Sequence, residues 1–251
     1  MAQSLENSPI IDVGDWSIMY DFLSSTMTEA ILVLDFERKN FQYISNNDLI
    51  LSGYTQETAM ALGYDFFKKV LHPKDIPFGK DIHTIILNSL NNGELPMEQI
   101  DYFSFLLRIK TSLSPSEKSD YLMTYVKLKP HWMNSQLRYG ICLLSASIIR
   151  KQDYQLCAHY KNMDYSHYSF KTKKWEHSQF SPLCKRQREM LIWAQHGLSL
   201  KETADKMNVA DKTIESIRHT LFEKFGVNTI EQAILYASNR RLIYQSPQVH
   251  P

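Results

Sequence analysis

The chain of 251 residues is 43% hydrophobic and 22% charged with only 8 Gly and 9 Pro, which excludes collagen-like, low-complexity and disordered classes. A formal net charge of +1 gives no polyelectrolyte signature, so attraction to nucleic acid has to come from local charge distribution. Three separated cysteines, Cys142, Cys157 and Cys184, exclude a disulfide framework and a zinc knuckle, and are expected to be free thiols.

The first 30 residues read as an N-terminal extension. They lack a basic segment followed by a long apolar core, so no secretory signal is expected and the cytoplasm is the default location. Ile31–Phe36 and Phe41–Ile44 then form two short strands around a turn, a hairpin pattern. Residues 46–78 carry short helical patterns broken at Gly53, Gly63 and Pro73, and a longer helix is expected over about Gly79–Leu90. Three strands follow, Gln99–Lys110, Tyr121–Lys129 and Leu137–Ile149. In the first, Phe103, Phe105, Leu107 and Ile109 alternate with more polar neighbours, as a sheet with one covered face requires. Residues 150–180 are expected to form a β-hairpin linker, with strands at 154–160 and 165–170 and with Lys171, Lys173 and Lys174 in a solvated turn. The apolar run 140–149 is too short for the roughly 20 residues of a membrane helix, so no membrane association is expected.

Near Ser181-Pro182 the character changes. Residues 180–251 hold ten Lys/Arg against seven Asp/Glu, whereas residues 1–179 hold eighteen against twenty, so the positive balance lies in the C-terminal part. That part reads as four helices. The first runs from about Lys185 to His196 and stops at Gly197. The second is capped by Ser199 with Glu202 three residues later, a capping-box pattern. The third covers Asp211–Phe225, with Ile214, Ile217, Leu221 and Phe225 as the buried stripe and Lys212, Ser216, His219 and Glu223 opposite. Two helices joined by a tight turn at 207–210, the second showing short and polar side chains, suit entry into a DNA major groove, although a small helical bundle with a solvated face has the same spacing.

The segment Leu183–Ala237 resembles the LuxR/GerE-type helix-turn-helix of bacterial transcription regulators. The resemblance is carried by Arg186, Arg188, Glu189 and Leu191, by GLS-x-KE-x-A from Gly197 to Ala204, by Lys212-Thr213-Ile214, and by Gly226-Val227 and Gln232-Ala233. It implies a recognition role for the third helix, dimerisation through the fourth and binding to a duplex operator. On this basis Lys212, Glu215, Ser216 and His219 are expected to face the groove, with Lys201, Thr213 and Arg218 on the phosphate backbone; Arg186 and Arg188 are further candidates whose alternative is local pairing with residues such as Glu189. The chain departs from the family at Cys184, Ala210, Glu215 and Ile217. A glutamate at 215 either accepts a hydrogen bond from cytosine N4 or repels phosphate.

Residues 31–149 resemble a PAS domain, through YISNN (43–47), SGY (52–54), LG (62–63) and LHPKD (71–75). The resemblance implies a five-stranded antiparallel sheet able to cradle a small molecule or only side chains. A phosphorylation-receiver reading, suggested by ILVLD at 31–35, conflicts with three consecutive strands after Gln99. No cofactor is predicted: no cysteine precedes Cys142 for flavin chemistry, and His83, near the position of the axial ligand in haem PAS domains, is read as structural.

The fold class is therefore α+β, a PAS-like antiparallel sheet with short helices (31–149) followed, after the linker, by an all-α LuxR-type helix-turn-helix domain (181–251). No catalytic motif is present, and no enzyme is expected. The expected function is sequence-specific DNA-binding transcriptional regulation by a homodimer under a small-molecule or protein signal. The alternative is a ligand-binding or protein-coupling module whose terminal helices mainly oligomerise.

Overall fold

A computed structural model describes residues 13–111, 120–133, 136–147, 154–162, 164–178, 183–239 and 242–243. The chain divides into two compact units, residues 1–179 and 180–251.

The first unit opens with helix α1 (Val13–Thr26), followed by β1 (Ala30–Asp35) and β2 (Asn40–Ile44). Short helices α2 (Asp48–Leu51), α3 (Gln56–Leu62) and α4 (Phe67–Val70) lead to the long helix α5 (Asp75–Asn91). Six strands complete the unit: β3 (Ile100–Lys110), β4 (Tyr121–Met133), β5 (Gln136–Ala146), β6 (Leu156–Tyr160), β7 (Tyr165–Ser169) and β8 (Lys174–Ser178). All eight strands join one sheet in the order β2-β1-β5-β4-β3-β6-β7-β8, and every neighbouring pair is antiparallel. The first five, with the helices inserted between β2 and β3, make the PAS-like sheet. An antiparallel sheet also rules out the alternating strand–helix layout of a receiver.

The periodicity of two explains the packing. Phe103, Phe105, Leu107 and Ile109 of β3 share the principal core with Val126 and Leu128 of β4, Cys142 and Leu144 of β5, and Phe78, Ile82 and Ile86 of α5. The opposite face is covered at β1 and β2, where Ile31, Val33 and Tyr43 pack against Tyr20 and Leu23 of α1. Cover on both faces is why the whole of β1 is apolar and buried up to Asp35. Asp35 is itself fully buried and fixes the following turn, accepting hydrogen bonds from the backbone N–H groups of Glu37 (3.0 Å) and Arg38 (2.9 Å) and from Arg138 Nη2 (2.9 Å).

The structure departs from the sequence-based expectations in four places. Helix α5 starts at Asp75 rather than Gly79, because Pro77 occupies the first turn, where a helix needs no backbone donor. Strand β4 runs past Lys129 through Pro130 to Met133; pairing with β3 stops at Leu128, so the missing N–H of Pro130 breaks no ladder on that side. Helix α1 lies in what reads as a bare extension. Residues 154–178 supply three strands rather than a hairpin, and β6 pairs with β3, so they widen the sheet instead of standing apart from it. Residues 148 and 149, expected at the end of the third core strand, lie outside the described residues.

Gly140 lies directly against the Phe36 ring. A Cβ there would lie 2.6 Å from Cζ of Phe36 and 3.4 Å from Cγ of Leu128. Gly140→Ala is therefore expected to lower the stability of the first unit by about 1–3 kcal/mol through overpacking. Urea unfolding followed by far-UV circular dichroism measures this; an unchanged midpoint would show that Phe36 swings aside freely.

Candidate nucleic-acid interface

The second unit consists of α6 (Lys185–Gln195), α7 (Leu200–Met207), α8 (Asp211–Phe225) and α9 (Ile230–Asn239). Each boundary has a local cause. Cys184 stands at the N-cap of α6, and its backbone N–H donates to Gln187 Oε1 (3.1 Å). Gly197, at φ +83°, lets the chain leave α6 in a left-handed conformation. The capping box at α7 forms as expected: Glu202 N–H donates to Ser199 Oγ (3.3 Å) and Ser199 N–H donates to Glu202 Oε2 (2.8 Å). Hydrogen bonds from Ser199 hold the Glu202 carboxyl below its usual range. Asn208 takes the left-handed conformation that ends α7, and Ala210 is the N-cap of α8, so three residues separate the two helices.

Helix α8 packs against α6, α7 and α9. Ile214, Leu221 and Phe225 are buried, as are Met190 and Leu191 of α6, Thr203 and Ala204 of α7, and Ala233 and Ala237 of α9. The Phe225 ring stacks on Tyr236 of α9 at 4.4 Å. Ile217, expected in the buried stripe, is only half-buried, because a step of three residues places it about 60° off the line through Ile214.

The opposite side of α8 presents Lys212, Glu215, Ser216 and His219, all exposed. Thr213 is half-buried in the first turn, where its backbone N–H donates to the Ala210 carbonyl (2.8 Å), and Lys201 is exposed in the first turn of α7. Arg218 lies on the flank, half-buried, with its guanidinium over the Phe222 ring at 5.8 Å from the centroid. His219 Nε2 lies 3.3 Å from Glu223 Oε1, one turn further on. Of the additional arginines, Arg186 is exposed and Arg188 half-buried, and the ion pair of Glu189 is made with Lys185 (3.9 Å). The structure thus gathers Lys212, Glu215, Ser216 and His219 on one stripe, with Thr213 and Arg218 on its two sides. The His219–Glu223 and Arg218–Phe222 contacts are legible in the sequence only as i, i+4 spacings.

Residues 181–237 match the bacterial regulatory proteins of the luxR family, GerE. This segment is a LuxR-family helix-turn-helix domain. The Fimbriae Z protein of Salmonella typhimurium (strain LT2) is 25% identical over 162 residues, 60% of this chain and 74% of that protein. Among solved structures, the VqmA dimer of Vibrio cholerae, a LuxR-type receptor, aligns over 92% of this chain and 90% of its own at 15% identity and a TM-score of 0.35. A PAS domain from Colwellia psychrerythraea aligns over 55% of this chain and 98% of its own at 13% identity and a TM-score of 0.37. At these TM-scores the assignment of the first unit rests on its own strand order, and that of the LuxR-type domain on the residues matched.

Other polar groups serve the fold. Ser166 Oγ lies 3.4 Å from His177 Nδ1, and His177 Nε2 lies 3.8 Å from Asp164, but Ser166 is buried and its hydroxyl is engaged by Tyr160 (2.8 Å), so it is not placed as a nucleophile. Cys142 is buried and its thiol is pushed up to about 12. His83 packs between the Phe36 and Tyr64 rings at 5.3 and 6.0 Å, and burial, with Lys39 nearby, pushes its pKa down. Its Nε2 is buried and has no hydrogen-bond partner among the described residues. No group of three or more potential metal ligands is found among the described residues, and no described helix is long and apolar enough to cross a membrane.

Proposed function

We propose that the chain is a cytoplasmic, sequence-specific DNA-binding transcriptional regulator that acts as a homodimer, its PAS-like unit controlling how two LuxR-type domains meet a two-fold operator. The observation that carries this reading is the exposed stripe of α8 within the matched segment 181–237. A helix of this width fits a major groove, and one such stripe reaches only a few base pairs, so a second copy is needed for a specific site. Lys212, Glu215, Ser216 and His219 face base edges. Lys201, Thr213 and Arg218 hold the phosphate backbone, Thr213 through its hydroxyl. The sensory half of the proposal is supported by His83 of α5, packed against Phe36 and Tyr64, whose buried Nε2 has no hydrogen-bond partner among the described residues and is the polar atom offered to a small molecule.

The test uses the full chain and a pool of random-sequence duplexes. Binding is expected to weaken steeply between roughly 50 and 200 mM salt, as counterion release requires. Lys201→Ala and Thr213→Ala should each weaken binding about tenfold, and only the first should flatten the log–log salt slope, by about one unit. Oligomer size should not change in either variant. Salt-insensitive or undetectable duplex binding by the unmodified chain would overturn the reading and favour terminal helices that serve oligomerisation.

A further inference from the structure

Glu215 is out of place on a surface that meets phosphate. An acidic side chain there is repelled by the duplex unless something compensates it. The other glutamates described in the LuxR-type domain are each engaged within the domain. Glu189 pairs with Lys185, Glu202 completes the α7 capping box, Glu223 pairs with His219, and Glu231 is bonded by Thr229 and its own backbone at the start of α9. Glu215 has no such engagement. It is exposed, and among the described residues it forms no ion pair with Lys212 three residues before it or with Arg218 three residues after it. Arg218 leans over Phe222, and His219 pairs forward with Glu223. As the fifth residue of α8, Glu215 also lies beyond the first turn, where the helix dipole would favour a negative charge. Neither an ion pair, nor a cap, nor the helix dipole accounts for it.

Resting on the reading that α8 enters the major groove, we infer that Glu215 determines specificity by accepting a hydrogen bond from cytosine N4, and so fixes a cytosine in each half-site. A carboxylate is an acceptor only. In the major groove guanine offers two acceptors, thymine an acceptor and a methyl group, and adenine a donor beside the N7 acceptor. Cytosine alone offers a donor without an acceptor on the same base. Ser216 and His219, which both donate and accept, share the stripe with Glu215 and leave the cytosine requirement to it.

The experiment is selection of bound sequences from a random duplex pool by the full chain and by two variants, with circular dichroism confirming that each variant folds. The unmodified chain should enrich cytosine at one position per half-site by about tenfold over other bases. Glu215→Ala should lose that preference, keep the rest of the motif, and bind unrelated duplex about two- to fivefold more tightly because a repelling charge is gone. Glu215→Gln should move the preference at the same position to adenine, whose N6 and N7 match an amide. An unchanged motif in Glu215→Ala would overturn the inference while leaving the proposed function standing, as would tighter binding without a change in base preference. If the unmodified chain enriches no motif at all, the proposed function fails and the inference with it.

Discussion

Replacing Arg108 by methionine is expected to remove about 3–5 kcal/mol from the stability of the first unit. Asp75, the first residue of α5, is fully buried, and the Arg108 guanidinium pairs with it directly. The backbone N–H of Arg108 donates to Asp75 Oδ2 (2.7 Å), and the Tyr154 hydroxyl donates to Oδ1 (3.2 Å). The guanidinium is charged at any working pH, and the Asp75 carboxylate raises its pKa further. Methionine fills similar volume but leaves a buried carboxylate without its cation, and the penalty comes from that charge rather than from lost packing. The signature that separates the two causes is the double variant Asp75→Leu/Arg108→Met: removing both charges should recover much of the loss, since a buried pair replaced by apolar groups is often neutral. Native-state hydrogen exchange in peptides from β3 and β4 is the measurement. A loss below about 1 kcal/mol would mean that water reaches Asp75 and shields it. The location gives the effect its reach, because the three side chains join the start of α5, the central strand β3 and the segment that leads into β6.

The same cluster shows where reading from sequence runs out. The LuxR-type domain is legible because its signals are local: the Ser199–Glu202 box, the left-handed exits at Gly197 and Gly226, and the buried stripe of α8 all lie within a few residues of the geometry they cause. The alternation of β3 is legible for the same reason. Strand β8 is not, since Lys174–Ser178 has no apolar alternation; Trp175 is anchored through Nε1 to Ser89 Oγ of α5 (2.8 Å), 86 residues away in sequence. Pairing of β6 with β3 likewise joins Phe103 to Ala158, a choice that no local pattern announces. Helix α1 escapes because its apolar residues surround the axis: Tyr20 and Leu23 face the sheet while Ile18 and Phe22 are exposed, so no single stripe stands out. At the candidate interface, which residues share the exposed stripe follows from the period of 3.6. The absence of an ion pair at Glu215 does not, because Lys212 and Arg218 stand at distances in sequence that suit one.

Leu221→Ala should cost the LuxR-type domain about 3–4 kcal/mol, against less than about 0.5 kcal/mol for Ser216→Ala on the other side of the same helix. Leu221 is fully buried in the C-terminal half of α8, whose inner side packs against α6, α7 and α9, so truncation removes apolar contact and leaves a void. Domains of this size are stable by only about 0.05–0.15 kcal/mol per residue, so the loss consumes a large share of the total for the segment 181–237. Duplex binding is expected to weaken with it, because the exposed stripe is held in place only while the inner one is seated. Ser216→Ala reverses the pattern: melting unchanged, base preference altered. Hydrogen exchange in peptides spanning 211–225, compared with duplex binding at two temperatures, reads both variants. Equal melting of Leu221→Ala and the unmodified chain would show that α8 does not depend on its apolar side, and the division of that helix into a packed face and a reading face would fail.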